Sequence, residues 1–410
     1  MVGHGDPEPP HTTILLCNRS NIGIHRGYPC DQDCRTRVAI PPEGMRDIVR
    51  TSIDQKTTAP EIAALHRKAS ALIDRELAAL LEELDGAAPL LRHMCAYHLG
   101  IVDAEGNAIP AERRPRLQGK RMRPQIALLS CAAAGGALPA AAPLAAAIEL
   151  LHNFTLVHDD IQDRSPNRRH RPTVWRLWGD AQAINAGDAL FAAAQIGVFG
   201  GESPAADPER LIAISRAFNR MTVDIVRGQV LDIGFEGQRD VSPEAYLEMI
   251  RGKTAAIVRF AAWAGALLGG ASDDIATHFG GFGEALGLGF QLRDDALGVW
   301  GAAAETGKDT ADDIRRRKQA LPALLLRRAA TDTDRAELDR VFTGPVVSES
   351  DVELVLEMLD RYKVADDVEA RVREAHDTAV AELDALAPGA DPVAIAALRA
   401  LIDRMSVRSA

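Results

Sequence analysis

The chain has 410 residues, 47% of them hydrophobic but only 4% aromatic, and a formal net charge of −11. That much apolar material supplies a large core, and abundant alanine with few aromatics favours helix over sheet. The acidic balance argues against a nucleic-acid partner, which needs a basic face.

Residues 1–58 are rich in proline and show no clear period. Cys17, Cys30 and Cys34, with His25 between them, do not match the ligand pairs of a familiar zinc finger. This stretch reads as an N-terminal extension, either a disordered tail or sequence upstream of a true start near Met45, and residues 59–410 form the folded domain. "ILLC" is too short for the apolar part of a signal peptide. Five cysteines, an odd number in a long chain, point to reduced thiols and a cytoplasmic setting.

From Pro60 the pattern turns helical. Ile62, Leu65, Ala69, Leu72, Ile73, Leu77, Leu80, Leu81 and Leu84 recur at three- and four-residue steps, with Gly86 after the end. The apolar run from Ile126 to Leu151 is interrupted by Gly135, Gly136, Pro139 and Pro143, which predicts two buried helices joined by a turn rather than a membrane span. Further helical stretches follow at about 143–164, 181–199, 208–232, 243–269, 272–298, 318–329, 350–361, 363–386 and 391–406. There is no convincing alternating strand run and no fixed-period repeat. The expected fold is all-α, one large helical bundle.

The chemistry concentrates at "HNFTLVHDDIQDRSPNRRHRP", residues 152–172. Asp159 and Asp163, four apart at the end of an apolar helix, project from one face with Asp160 beside them. Gathered carboxylates repel unless cations neutralise them, and hard oxygen donors at this spacing suit Mg²⁺, which fills its shell from water and substrate phosphates. A second pair, Asp294 and Asp295 in "FQLRDDALG", also lies late in an apolar helix and could face the first across a bundle. Basic clusters at "GKRMRP" (119–124), "RRHRP" (168–172) and "TGKDTADDIRRRK" (306–318) complete a pattern suited to diphosphate bridged by Mg²⁺. Cys95 and Cys131 need no part in such chemistry and are expected to be buried.

"GKRMRP", "ELLHNFTLVHDDIQD", "RRHRPTVW", "NAGDALFA", "GQVLDI", "GKTAAI", "GFQLRDDALGVWG" and "TGKDTADDIRRRKQALP", in this order over about residues 60–400, resemble the trans-type polyprenyl diphosphate synthases. The resemblance implies a helical bundle around a deep central cavity, usually a homodimer. It implies condensation of isopentenyl diphosphate with an allylic diphosphate, using about three Mg²⁺ ions. Carried over by position, Asp159 and Asp163 would hold two ions with support from Asp160. Asp294 would hold the third, aided by Asp295 and Asp313. Arg168, Lys253 and Lys308 would grip the allylic diphosphate; Lys120, Arg123, His152 and Arg169 would hold isopentenyl diphosphate. Thr254 and Gln291 would face the allylic cation, and Gln229 and Lys318 would complete the substrate surroundings.

Two positions depart from the family pattern. Gly298 stands where the second acidic motif usually ends in aspartate, and His170 replaces the glycine that usually follows the arginine pair. Product length in this family follows bulk at the fourth and fifth positions before the first aspartate, here Thr155 and Phe154, with Leu151 as a further floor residue. An aromatic at the fifth position resembles geranylgeranyl synthases and implies a C20 product, with C15 as the alternative. A helical wheel nonetheless places His152 and Thr155 under Asp159 and turns Phe154 away. A class I terpene cyclase, a prenyltransferase with another acceptor and a non-catalytic synthase subunit are the competing readings.

Overall fold

The structure, a computed structural model, describes residues 58–200, 207–301 and 311–406, with side chains through Asp403. The N-terminal stretch with Cys17, Cys30, Cys34 and His25 lies outside the described residues, as does Lys308.

Helix α1 (Ala59–Glu82) begins where the Thr58 amide donates to the Glu61 carboxylate at 2.8 Å, and buries Ala69, Ile73, Leu77, Leu80 and Leu81 on one face. After α2 (Pro89–His98), the short α3 (Arg114–Gln118) and α4 (Met122–Ala133) comes α5 (Leu138–Gln162). A hairpin of β1 (Asn167–Arg168) and β2 (Arg171–Pro172) leads into α6 (Val174–Trp178), α7 (Asp180–Phe199) and α8 (Pro208–Phe235). Helix α9 (Pro243–Ile250) passes through a π turn (Arg251–Ala255) into α10 (Ala256–Leu268), and α11 (Asp273–Trp300) follows. The C-terminal part comprises α12 (Asp312–Arg315), α13 (Leu321–Ala329), α14 (Asp332–Thr343), α15 (Glu349–Arg361), α16 (Val364–Leu386) and α17 (Pro392–Ser406). The expected all-α architecture holds, with the small hairpin as an addition that no alternating run announces.

Helix α5 is the centre of the bundle, packed against α1, α4 and α7. Pro143 does not break it, contrary to the sequence expectation. An interior proline forfeits a backbone hydrogen bond and costs about 3 kcal/mol. Leu144, Ile148, Leu150 and Leu151 are each at most 2% exposed, and each such burial contributes roughly 1.5–3 kcal/mol, so packing outweighs the proline. Helix α5 is long and apolar enough to cross a membrane by composition, but 72% of its most apolar window is buried within the protein. A second core joins α9 and the end of α11 to α13, α14, α15 and α16. The last turns of α5 and α11 carry the two acidic pairs.

Candidate active site

An apolar cavity of about 360 Å³ opens beside the C-terminal half of α5. Asp159, His152, Phe154 and Thr155 reach it from α5, Gln229 from α8, Lys253 and Thr254 from the π turn, Gln291 from α11 and Arg123 from α4. Nine of the sequence candidates therefore meet at one place.

Burial pushes the Asp159 carboxyl up to about 6, with nearby Asp163 adding to the rise while Lys253 and Arg168 oppose it. Burial likewise raises Asp163 and Asp160. Asp160 is only 2% exposed, and both its oxygens accept from the Arg168 Nε, at 2.9 and 3.0 Å. In the structure Asp160 holds Arg168 through both carboxylate oxygens. The hairpin makes this possible: Arg169 and His170 both have positive φ, 51° and 61°, and form the two-residue turn between β1 and β2. Arg169 points the other way, donating to the Leu117 carbonyl at 3.1 Å and lying against Gly119, next to Lys120.

Lys253 is set by close backbone contact. A Cβ at Gly228 would fall 2.3 Å from the Lys253 amide nitrogen, and one at Gly252 would fall 2.6 Å from the Asp224 carbonyl. Only glycines let α8 and the π turn approach this closely, and the approach brings the Lys253 ammonium to 2.5 Å from Asp232. Such π turns are rare and occur often at functional sites. Here the turn presents Lys253 and Thr254 together.

The basic end of the cavity is built on α4 and α5. Arg123 Nη1 lies 3.3 Å from His152 Nε2, and the negative charges of Glu149 and Asp294 lie near Arg123. Burial, then the charges of Arg123, Arg169 and Arg168, hold the His152 imidazole well below its usual range. A neutral imidazole there lets Nε2 accept from Arg123 and orient it. Lys120 is exposed on the neighbouring loop and does not line the cavity.

The second acidic pair divides. Asp294 faces the charges of Arg123 and Lys318. Asp295 is 0% exposed and accepts from Tyr246 Oη, Gln291 Nε2 (3.1 Å) and the Leu321 amide (3.4 Å), with Lys318 Nζ at 3.7 Å. Burial raises its carboxyl above the usual range, opposed by those partners. Its oxygens are engaged inside the bundle, and Asp295 is not among the residues lining the cavity. Lys318 sits between Asp295 and Asp313, 3.7 Å from each, rather than among the groups lining the cavity.

Leu151 is fully buried in the core and absent from the cavity wall, so its expected floor role is withdrawn. Phe154, which the helical wheel turned away, does line the cavity, stacked edge-on with His158 and 5.3 Å from Phe191. Cys95 and Cys131 are fully buried, and burial pushes both thiols up to about 12. Sequence reasoning gave no role to Asp232 or Tyr246. Asp232 had one usable signal: it lies three residues after Gln229 on the same helix face.

Among the described residues no three acidic, imidazole or thiol side chains converge tightly enough to make a metal site alone. Asp159, Asp163 and Asp294 offer only hard oxygen donors from two helices. That set fits Mg²⁺ completed by water and substrate oxygens.

The polyprenyl synthetase family model matches residues 110–359. The chain is 40% identical over 267 residues to the (2E,6E)-farnesyl diphosphate synthase of Mycobacterium tuberculosis, covering 65% of this chain and 70% of that protein. It is 38% identical over 264 residues to the geranylgeranyl diphosphate synthase of the same organism, covering 64% and 73%. The crystal structure of a polyprenyl synthetase from Streptomyces coelicolor matches with a TM-score of 0.74 at 33% identity, over 84% of this chain and all of that one.

Proposed function

The chain belongs to the polyprenyl synthetase family and is a short-chain prenyl diphosphate synthase; from that premise we propose that it is a Mg²⁺-dependent enzyme that joins isopentenyl diphosphate to an allylic diphosphate and stops at C20. The observation that carries this reading is the meeting of Asp159, Lys253, Thr254, Gln291 and Arg123 around one apolar cavity.

The reaction needs an allylic C–O bond to break, a cation to survive briefly, and the double bond of isopentenyl diphosphate to attack it. Lys253 and Arg168, each aimed by a carboxylate, hold the allylic diphosphate as it leaves. Arg123, Arg169 and Lys120 hold the diphosphate of isopentenyl diphosphate, and His152 aims Arg123. The hydroxyl of Thr254 donates to Gln291 Oε1 at 3.0 Å, so both residues can turn oxygen lone pairs toward the cation. Apolar walls from Ile225, Val226, Ile257 and Phe290 exclude water. The proton lost at the end passes to the departed diphosphate. Bound Mg²⁺, held by Asp159, Asp163 and Asp294, would supply charge neutralisation for the leaving group.

Phe154 on the cavity wall, backed by Phe191, supports C20 as the stopping length. Exposed Ile184, Ile196 and Phe199 on α7, with Ile212 and Val223 on α8, support a homodimer. The free buried thiols suit a cytoplasmic enzyme.

The test is substrate-specific. EDTA should abolish turnover, and Lys120→Ala should raise the KM for isopentenyl diphosphate at least about tenfold while barely moving that for the allylic substrate. Equal effects on both would remove Lys120 from the isopentenyl diphosphate site.

A further inference from the structure

Gln291 can serve a developing cation only if its amide oxygen, not its NH₂ group, faces the cavity. The structure shows what decides between those two orientations. Gln291 Nε2 donates to Asp295 Oδ1 at 3.1 Å, and Gln291 Oε1 accepts from Thr254 Oγ1 at 3.0 Å. An ionised carboxylate only accepts hydrogen bonds. Donors converge on both oxygens of Asp295: Tyr246 Oη and the Leu321 amide on Oδ2, and Gln291 Nε2 on Oδ1, with the Lys318 ammonium 3.7 Å from Oδ1. A flipped Gln291 would set oxygen against oxygen and lose a charge-assisted bond, which disfavours it at least about tenfold.

We propose that Asp295, the second aspartate of the later acidic pair, is a positioning residue that locks the Gln291 amide with its oxygen toward Thr254 and the reacting end of the cavity. The proposal rests on prenyl transfer at this cavity and adds the device that fixes one of its polar groups. Tyr246 and Leu321 hold Asp295 from the core side, so the lock is anchored in α9 and α13. The two aspartates thus divide their work: Asp294 faces the diphosphate side, and Asp295 orients the cation side.

The chemistry gives a distinctive test. In Asp295→Asn the new carbonyl keeps the Tyr246 and Leu321 donors, so the new NH₂ faces Gln291 and donates to it. Gln291 then turns over and presents its own NH₂ to the cavity. Asp295→Asn should lower kcat about a hundredfold, the loss typical of one misdirected electrostatic group, with the Mg²⁺ midpoint and both KM values little changed. The double variant Asp295→Asn with Gln291→Glu reverses the hydrogen bond, with a donor at 295 and only oxygens at 291, and conserves the buried charge. It should recover kcat to within about tenfold of wild type. Gln291→Glu alone opposes two carboxylates and should be nearly inactive. If Asp295→Asn fails to fold, the comparison of Gln291→Glu with the double variant still decides.

Loss reversed by excess Mg²⁺ would make Asp295 a metal ligand after all. A double variant no better than the single ones would also overturn the lock, as would an unchanged kcat in Asp295→Asn. A wild-type protein with no prenyl transfer at all would instead overturn the function on which the lock rests.

Discussion

A Cβ built on Gly298 would lie 2.2 Å from Asp313 Oδ2, inside any real contact distance. The glycine that interrupts the second acidic motif is thus what allows the Asp313 carboxylate to lie directly against α11. The two positions are coupled: the space that a side chain at 298 would fill is taken by a carboxylate from α12.

Restoring the motif should therefore harm the protein. Gly298→Asp displaces the Asp313 carboxylate and sets a second negative charge beside it, which should lower stability by up to about 1 kcal/mol in denaturant unfolding. Adding Asp313→Gly should recover most of that loss. A Gly298→Asp variant as stable and as active as wild type would show the two positions to be independent.

His170 replaces a glycine at a position with φ of 61°, where a side chain is strained. His170→Gly should stabilise the protein by about 1 kcal/mol and leave both KM values unchanged. A raised KM for either diphosphate would instead make the imidazole a ligand.

The half-buried His98 gives the fold an acid sensitivity. Burial, and then the charges of Arg169, Arg168 and Arg171, push its imidazole down to about 3, and Nε2 has no hydrogen-bond partner. Below about 6.5 the unfolded chain takes up a proton that the folded chain refuses. Stability is then lost as pH falls toward 3, at up to about 1.4 kcal/mol per pH unit from this group. His98→Gln should flatten that part of the stability profile between pH 6.5 and 4.5. An unchanged slope in the variant would place the acid sensitivity elsewhere.

Much of this site is legible in the sequence because it is local. Asp159 and Asp163 are one helical turn apart, and Thr254 follows Lys253 directly. What the sequence hides is long-range or geometric. Tyr246 meets Asp295 across 49 positions and Lys253 meets Asp232 across 21, and no local period marks either pair. Pro143 reads as a breaker until the burial around it is known. Leu151 reads as cavity floor because spacing along α5 alone does not show which face the core covers. Phe154 is the reverse case, since an ideal wheel turns away a side chain that the structure places on the wall.

That placement makes product length testable. Phe154→Ala removes the ring that stands between the cavity and Phe191. With isopentenyl diphosphate saturating, the products should lengthen to C25 or beyond. An unchanged product with lowered stability would make Phe154 a packing residue and leave chain length to other walls.

The central claim is that the cavity beside Asp159 joins two diphosphate substrates. Purified protein should be incubated with labelled isopentenyl diphosphate, geranyl or farnesyl diphosphate and Mg²⁺, and the products sized. The account predicts a labelled C20 prenyl diphosphate that forms only when both substrates are present and disappears in Asp159→Ala. Consumption of the allylic substrate without isopentenyl diphosphate, with release of an unlabelled hydrocarbon, would contradict it.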